Sequence, residues 1–158
     1  MLTILLTIRP KYAEEILSGV KEYELRKGCV FKPGCRVILY ASSPIKAVVG
    51  EFTAGEVYTG SSREVITFIE SKRPRGVSGE DIYYITGKNY RVSAIEVLNP
   101  IRYPCRVSLS EMRRYGLRNP PRSYMVLKPE NPVHLAILKL IERASTCFYF
   151  SRHASSPV

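Results

Sequence analysis

Histidine is almost missing from this chain, with two in 158 residues, and none of its four cysteines forms a Cys-x-x-Cys pair. Cys29, Cys35 and Cys105 are also far in sequence from the histidines, so a zinc site is not expected, and no cofactor is expected either. Acidic residues are few, 14 against 24 Lys and Arg, which leaves a net charge of +10 and favours a polyanionic partner without saying which. Long apolar runs are absent. Residues 2–8 are apolar but too short to span a bilayer, and no basic region precedes them. They read as a buried strand, and the chain as cytoplasmic. No repeat, low-complexity tract or internal linker interrupts it, so one domain is expected. Free thiols are expected of a cytoplasmic chain, but Cys29 and Cys35 flank a turn, and a disulfide across it stays open.

The surplus of positive charge is uneven. Residues 1–60 carry eight cations and six acids, whereas residues 61–158 carry sixteen and eight. From Arg102 to Lys128 there are seven cations, among them Arg102, Arg106, Arg113, Arg114, Arg118 and Arg122, and one acid, Glu111. Tyr103, Tyr115 and Tyr124 are interleaved with them. Guanidinium forks match phosphate and tyrosine faces stack bases, so this segment reads as a nucleic-acid surface; the alternative is a solvated charged face over core tyrosines.

Periodicity gives the elements. Residues 2–8 form a strand, and Pro10 opens a helix whose apolar positions Tyr12, Ala13, Ile16 and Leu17 share one face. Gly19 stands where a left-handed helix stop wants no Cβ. The period then changes to two: Tyr23 and Leu25 point one way, Glu22, Glu24 and Arg26 the other. Lys21, at the junction, has no direction fixed by alternation. Further strands are expected at residues 36–41, 47–57 and 90–98, the last closed by Asn99-Pro100. Helices are expected at 63–70, from Ser78 to Tyr84 with Asp81 as cap partner, at 108–114, and at 133–148. Residues 152–158 read as a frayed tail. Short strands mixed with helices, without βαβ alternation, argue for an α+β fold.

Gly19, Lys21, Glu24 and Arg26 form the pattern Gly-x-Lys-x-x-Glu-x-Arg, which resembles the signature of the ASCH domain family, relatives of the PUA RNA-binding fold. Ile8-Arg9-Pro10-Lys11-Tyr12-Ala13-Glu14, Lys32-Pro33-Gly34, Tyr40-Ala41-Ser42-Ser43-Pro44, Val49-Gly50-Glu51-Phe52 and Pro120-Pro121-Arg122-Ser123-Tyr124 extend the resemblance over residues 2–128. It implies a PUA-like mixed β pseudobarrel flanked by helices, with residues 129–150 an added C-terminal helix that either covers a barrel end or builds a homodimer.

The resemblance implies two functions. One is a module, regulatory in RNA metabolism or translation, that binds RNA or a modified nucleobase through Arg9, Lys21, Glu24, Arg26, Ser42 and Ser43. Lys21 and Arg26 would meet phosphate or a carbonyl, and Glu24 an amino edge. The other is an amidohydrolase acting on N4-acetylcytidine or a related acylated nucleoside. Such relatives use the signature lysine, matched by Lys21, with a hydroxyl residue on the same strand and a distant glutamate. Glu24 occupies the hydroxyl position here, so an enzyme would use Lys21 and Glu24, and Glu70 lies in the region of the distant acid. Lys21 and Arg26 are expected to lower the pKa of Glu24, making it a poor base. For a ribonuclease, as other relatives are described, two C-terminal histidines supply no acid–base pair. Lys21, Glu24 and Arg26 are expected to share a solvent-reachable cleft with Ser42 or Ser43, through pairing of their two strands.

Overall fold

The computed structural model describes residues 1–87 and 89–154. Six strands form one sheet in the order β2-β5-β4-β3-β1-β6, comprising β1 (Thr3–Ile8), β2 (Tyr23–Lys27), β3 (Arg36–Ala41), β4 (Ala47–Gly60), β5 (Val92–Ser108) and β6 (Tyr124–Val126). Only β1 and β3 pair in parallel; the other ladders are antiparallel. The sheet curls into a half-barrel flanked by helices, an α+β architecture. Around it stand α1 (Pro10–Leu17), α2 (Ser62–Lys72), α3 (Gly79–Ile85), α4 (Leu109–Arg114) and α5 (Pro132–Ala154). Among the described residues no helix is long and apolar enough to cross a membrane.

The near-continuous apolar runs of β1 and β3 follow from burial on both faces. Ile4, Leu6 and Ile8 join Val37, Leu39 and Ala41 in one core, which α1 closes with Ala13 and Ile16. The alternate residues Leu5, Ile38 and Tyr40 belong to a second core, covered by Met112 of α4 and Ile137, Leu140 and Ile141 of α5. Each Val, Leu, Ile and Met among them contributes about 1.5–3 kcal/mol when fully buried. A third core lies beyond the far edge, where Tyr23 and Leu25 of β2 meet Val65, Ile69 and Ile85 of α2 and α3. The C-terminal helix thus covers one face of the sheet. The expected frayed tail begins inside α5, which runs to Ala154, and residues 155–158 lie outside the described residues.

Two elements differ from expectation. Asn99-Pro100 does not end β5. Asn99 adopts φ 47° and the ladder with β4 shifts register between Glu51 and Thr53, so the strand absorbs the proline at an irregularity and continues to Ser108. Arg102 and Arg106 therefore sit on a strand. Second, β2 does not pair with β3. It pairs with β5, Glu24 opposite Ile95, and lies at the sheet edge furthest from β6. The short connection between β2 and β3 spans the barrel instead of making a hairpin.

The free-thiol expectation holds for Cys29 and Cys35 and fails for Cys105 and Cys147. Cys29 and Cys35 are free, and the disulfide joins Cys105 of β5 to Cys147 of α5, tying the C-terminal helix to the barrel.

Candidate functional site

Pro10 starts α1 and its C-terminus turns at Gly19, whose φ of 82° is the expected left-handed stop. The amides of Val20 and Lys21 both bond to the Glu15 carbonyl, so the chain folds back under its own helix. This turn aims Lys21 inward. A second segment then crosses it: the Glu22 amide bonds to the Arg75 carbonyl, and the Glu22 carboxylate accepts from the Arg75 backbone and guanidinium. Gly76 passes so close that a Cβ there would lie 2.5 Å from the Lys21 Cα, and its φ is 80°. Only glycine fits both demands.

Lys21 is 1% exposed. Its Nζ donates to Asp81 Oδ1 at 2.9 Å and to the Gly76 carbonyl at 3.1 Å, and stands 5.1 Å from the Tyr12 ring centroid. Asp81 is itself held at Oδ2 by the amide and hydroxyl of Ser78, the cap of α3. The same carboxylate thus caps α3 and ties it to the signature strand. Glu80 accepts from the Tyr12 hydroxyl, which also raises the Tyr12 pKa to about 12. Two polar ties join α3 to the α1–β2 corner.

Between this corner and the end of β1 opens a cleft of about 840 Å3. Glu24 and Arg26, the least exposed of its charged lining residues apart from Asp81, form its floor, and Arg9, Ser42, Arg122, Tyr12, Tyr83 and Tyr84 also line it. The Arg26 Nη2 donates to the Thr7 carbonyl, bridging β2 to β1 across the barrel. Glu24 is 5% exposed. Its carboxylate lies 3.3 Å from Arg26 Nε and 3.9 Å from Lys21 Nζ, yet neither contact is a hydrogen bond, and Arg26 Nε is buried without any partner among the described residues. Burial raises the Glu24 pKa, outweighing the opposing pull of Arg26 and Lys21. This reverses the expectation that the two cations would hold it low: the carboxylate loses more hydration than neighbours without hydrogen-bond geometry restore.

Similar solved structures accompany this geometry. An ASCH protein from Zymomonas mobilis superposes with a TM-score of 0.69 at 20% identity, over 86% of this chain and 94% of that one. A point mutant of the Zymomonas protein gives 0.71 at 17% identity, over 87% and 95%. The fold is that of an ASCH domain. A protein from Agrobacterium tumefaciens is similar over 92% of this chain and 96% of its own at 13% identity, with a TM-score of 0.58. No family model and no curated protein matches the sequence.

Within the ASCH fold, Arg9, Glu24, Arg26 and Ser42 line one cleft. Lys21 lies beneath it, out of reach of solvent, and Ser43 is exposed away from it. Ser42 arrives by a different route from the one expected. Its amide bonds to the Ile8 carbonyl, so β1, the neighbour of β3, carries it to the cleft. Glu70 is exposed on α2, outside the cleft lining.

The basic segment divides. Arg102 forms a two-pronged ion pair with Glu14, Arg122 reaches the ASCH cleft, and Arg106, Arg113, Arg114 and Arg118 are exposed. Its tyrosines are mostly core: Tyr103 is 4% exposed, and Tyr124 packs edge-on against Phe31. The aromatic faces beside the cleft come instead from Tyr12, Tyr83 and Tyr84. Sequence reading missed these and Asp81 because nothing local marks them. Asp81 showed only its capping role, sixty residues from the lysine it pairs with. Among the described residues no group of three or more His, Cys, Asp or Glu side chains is placed to hold a metal ion.

Proposed function

We propose that this ASCH cleft binds a nucleobase, carried on RNA or as a modified nucleoside, with Glu24 reading an amino or imino N–H and the cleft arginines meeting phosphate. The observation that carries the reading is the Glu24 carboxylate, nearly buried at the cleft floor and close to two cations without a hydrogen bond from either. Such an acceptor keeps lone pairs free for a further donor. A base edge supplies that donor, and Tyr12, half-buried in the cleft lining, supplies a face for its ring. The cleft volume of about 840 Å3 falls within the roughly 300–1,000 Å3 of small-ligand sites. Lys21, bonded to Asp81 and Gly76, acts as the support beneath the site rather than as a ligand contact.

The test is calorimetric titration with cytidine, N4-acetylcytidine and cytidine 5′-monophosphate, using the wild type and Glu24→Ala. Expected is binding that weakens at least about tenfold in the variant, the worth of a lost charge-assisted hydrogen bond. Binding indifferent to Glu24→Ala would remove the carboxylate from recognition.

The raised pKa of Glu24 favours a second reading, hydrolysis of an acylated nucleobase with Glu24 as general base on water. It strengthens the base that an amidohydrolase needs, although no hydroxyl nucleophile stands on β2 between Tyr23 and Lys27. Conversion of N4-acetylcytidine to cytidine, abolished in Glu24→Gln, would establish it. Binding without turnover leaves the module.

A further inference from the structure

The outer face of α3 carries two tyrosines that the fold does not need. Ile82 and Ile85 pack this short helix onto the core, while Tyr83 is 83% exposed and Tyr84 37%. Both line the mouth of the cleft. A third aromatic, Tyr90, stands 38% exposed nearby, and the Lys27 ammonium from the end of β2 lies 4.6 Å from the Tyr84 ring centroid and 5.2 Å from that of Tyr90. The support is fixed, because Asp81 and Glu80 of the same helix are tied to Lys21 and Tyr12. Arg9 and Arg122, both exposed, complete a positive rim on the same cleft.

Exposed aromatic faces on a held helix, beside cations, suit one kind of ligand. Each base of a single strand offers a π-face to a tyrosine, and each linking phosphate offers a charge to lysine or arginine. A free nucleoside would use the enclosed floor and leave this outer face unused. The Arg102–Lys128 segment offers one exposed ring, Tyr115 at 47%, beside Arg113 and Arg114, but that ring lies outside the cleft lining, whereas Tyr103 is buried and Tyr124 packs on Phe31.

We infer that Tyr83, with Tyr84 and Lys27 beside it, is a stacking platform for the nucleotide flanking the one held in the cleft, so that the ligand is a single-stranded oligonucleotide. This rests on the nucleobase reading of the cleft. Tyr83 takes the neighbouring base by its ring face alone, which makes that position tolerant of base identity. The cleft floor, with Glu24, remains the selective position.

The experiment compares cytidine 5′-monophosphate with the dinucleotides CpA and ApC by calorimetry, for the wild type, Tyr83→Ala and Tyr83→Phe. At 83% exposure Tyr83 can be replaced without disturbing the core. Expected is a dinucleotide bound about 5- to 150-fold more tightly than the mononucleotide, the worth of one stacked base. Tyr83→Ala should remove that gain and leave mononucleotide affinity unchanged, and Tyr83→Phe should keep both. Deoxyribose versions of the dinucleotides show whether the platform serves DNA as well as RNA; stacking on Tyr83 stands if either sugar gives the gain. Equal affinity of wild type for mono- and dinucleotides would overturn the platform and leave the cleft reading intact. So would a Tyr83→Ala loss shared equally by both ligands, which would place Tyr83 in the cleft itself. Failure of every nucleotide to bind would remove the cleft reading and the platform together.

Discussion

Replacing Lys21 by methionine keeps the buried stem and removes the ammonium, which makes it the sharpest probe of how this site is held. Three groups lose a partner at once. Asp81 Oδ1 and the Gly76 carbonyl lose hydrogen bonds of 2.9 and 3.1 Å, and Glu24 loses the cation 3.9 Å away. Asp81 keeps its two bonds from Ser78, so its charge stays in the interior with its cation and one of its three hydrogen bonds gone. Breaking one side of such a buried pair costs about 3–5 kcal/mol, because the remaining charge is left uncompensated. For a domain of this size that corresponds to a fall in melting temperature of about 6–20 °C. Urea unfolding followed by far-UV circular dichroism measures it in a protein without tryptophan, with the slope m expected to stay constant. The double variant Lys21→Met/Asp81→Asn should lose clearly less than the two single losses added together, since the second change removes the charge the first one stranded. A midpoint shift worth less than about 1 kcal/mol in Lys21→Met, or strict additivity in the double variant, would refute the view of Lys21 as the buried tie between α3 and the signature strand.

Glu24 should behave in the opposite sense. Burial raises its folded-state pKa, so the folded protein binds this proton more tightly than the unfolded chain, and the contribution to stability falls as pH rises through the ordinary glutamate range toward the folded pKa. Urea titrations of wild type and Glu24→Gln from pH 3 to 8 should show the variant gaining relative to wild type as pH rises; a gap that widens on acidification would contradict the burial argument. Gly76→Ala should destabilise by more than about 1–2 kcal/mol, the cost of left-handed backbone alone, because its Cβ would also meet the Lys21 Cα at 2.5 Å; a thermal melt unchanged from wild type would show that this loop moves freely. Cys105→Ser should cost about 4 kcal/mol by the chain-entropy estimate for a 42-residue separation, and reductant should produce the same loss in wild type; identical melts with and without reductant would mean the bond contributes nothing.

Alternation and helix stops are local quantities, and the sequence by itself determined whatever depends on them. The start of α1 at Pro10, the turn at Gly19, the opposed faces of Tyr23 and Glu24, and the apolar runs of β1 and β3 all follow from the residues and their spacing. Glu24 and Arg26, grouped with Arg9 and Ser42 by the resemblance, line one cleft with them. Only the tertiary structure decided what lies opposite. Lys21 turned inward to meet Asp81, an acid whose local role as the α3 cap gave no hint of a lysine sixty residues away. The sign of the Glu24 shift depended on how much water the barrel removes, which alternation does not report. Asn99-Pro100 ended β5 on local rules, yet β4 alongside carried the strand through to Ser108. The tyrosines followed the same logic. Interleaving with arginine marked Tyr103, Tyr115 and Tyr124, but long-range packing buried Tyr103, half-buried Tyr124, left Tyr115 exposed away from the cleft, and left Tyr83 and Tyr84 facing solvent at its mouth. Burial is a property of the whole chain's path, and sequence spacing fixes only the direction in which a side chain leaves its own strand or helix.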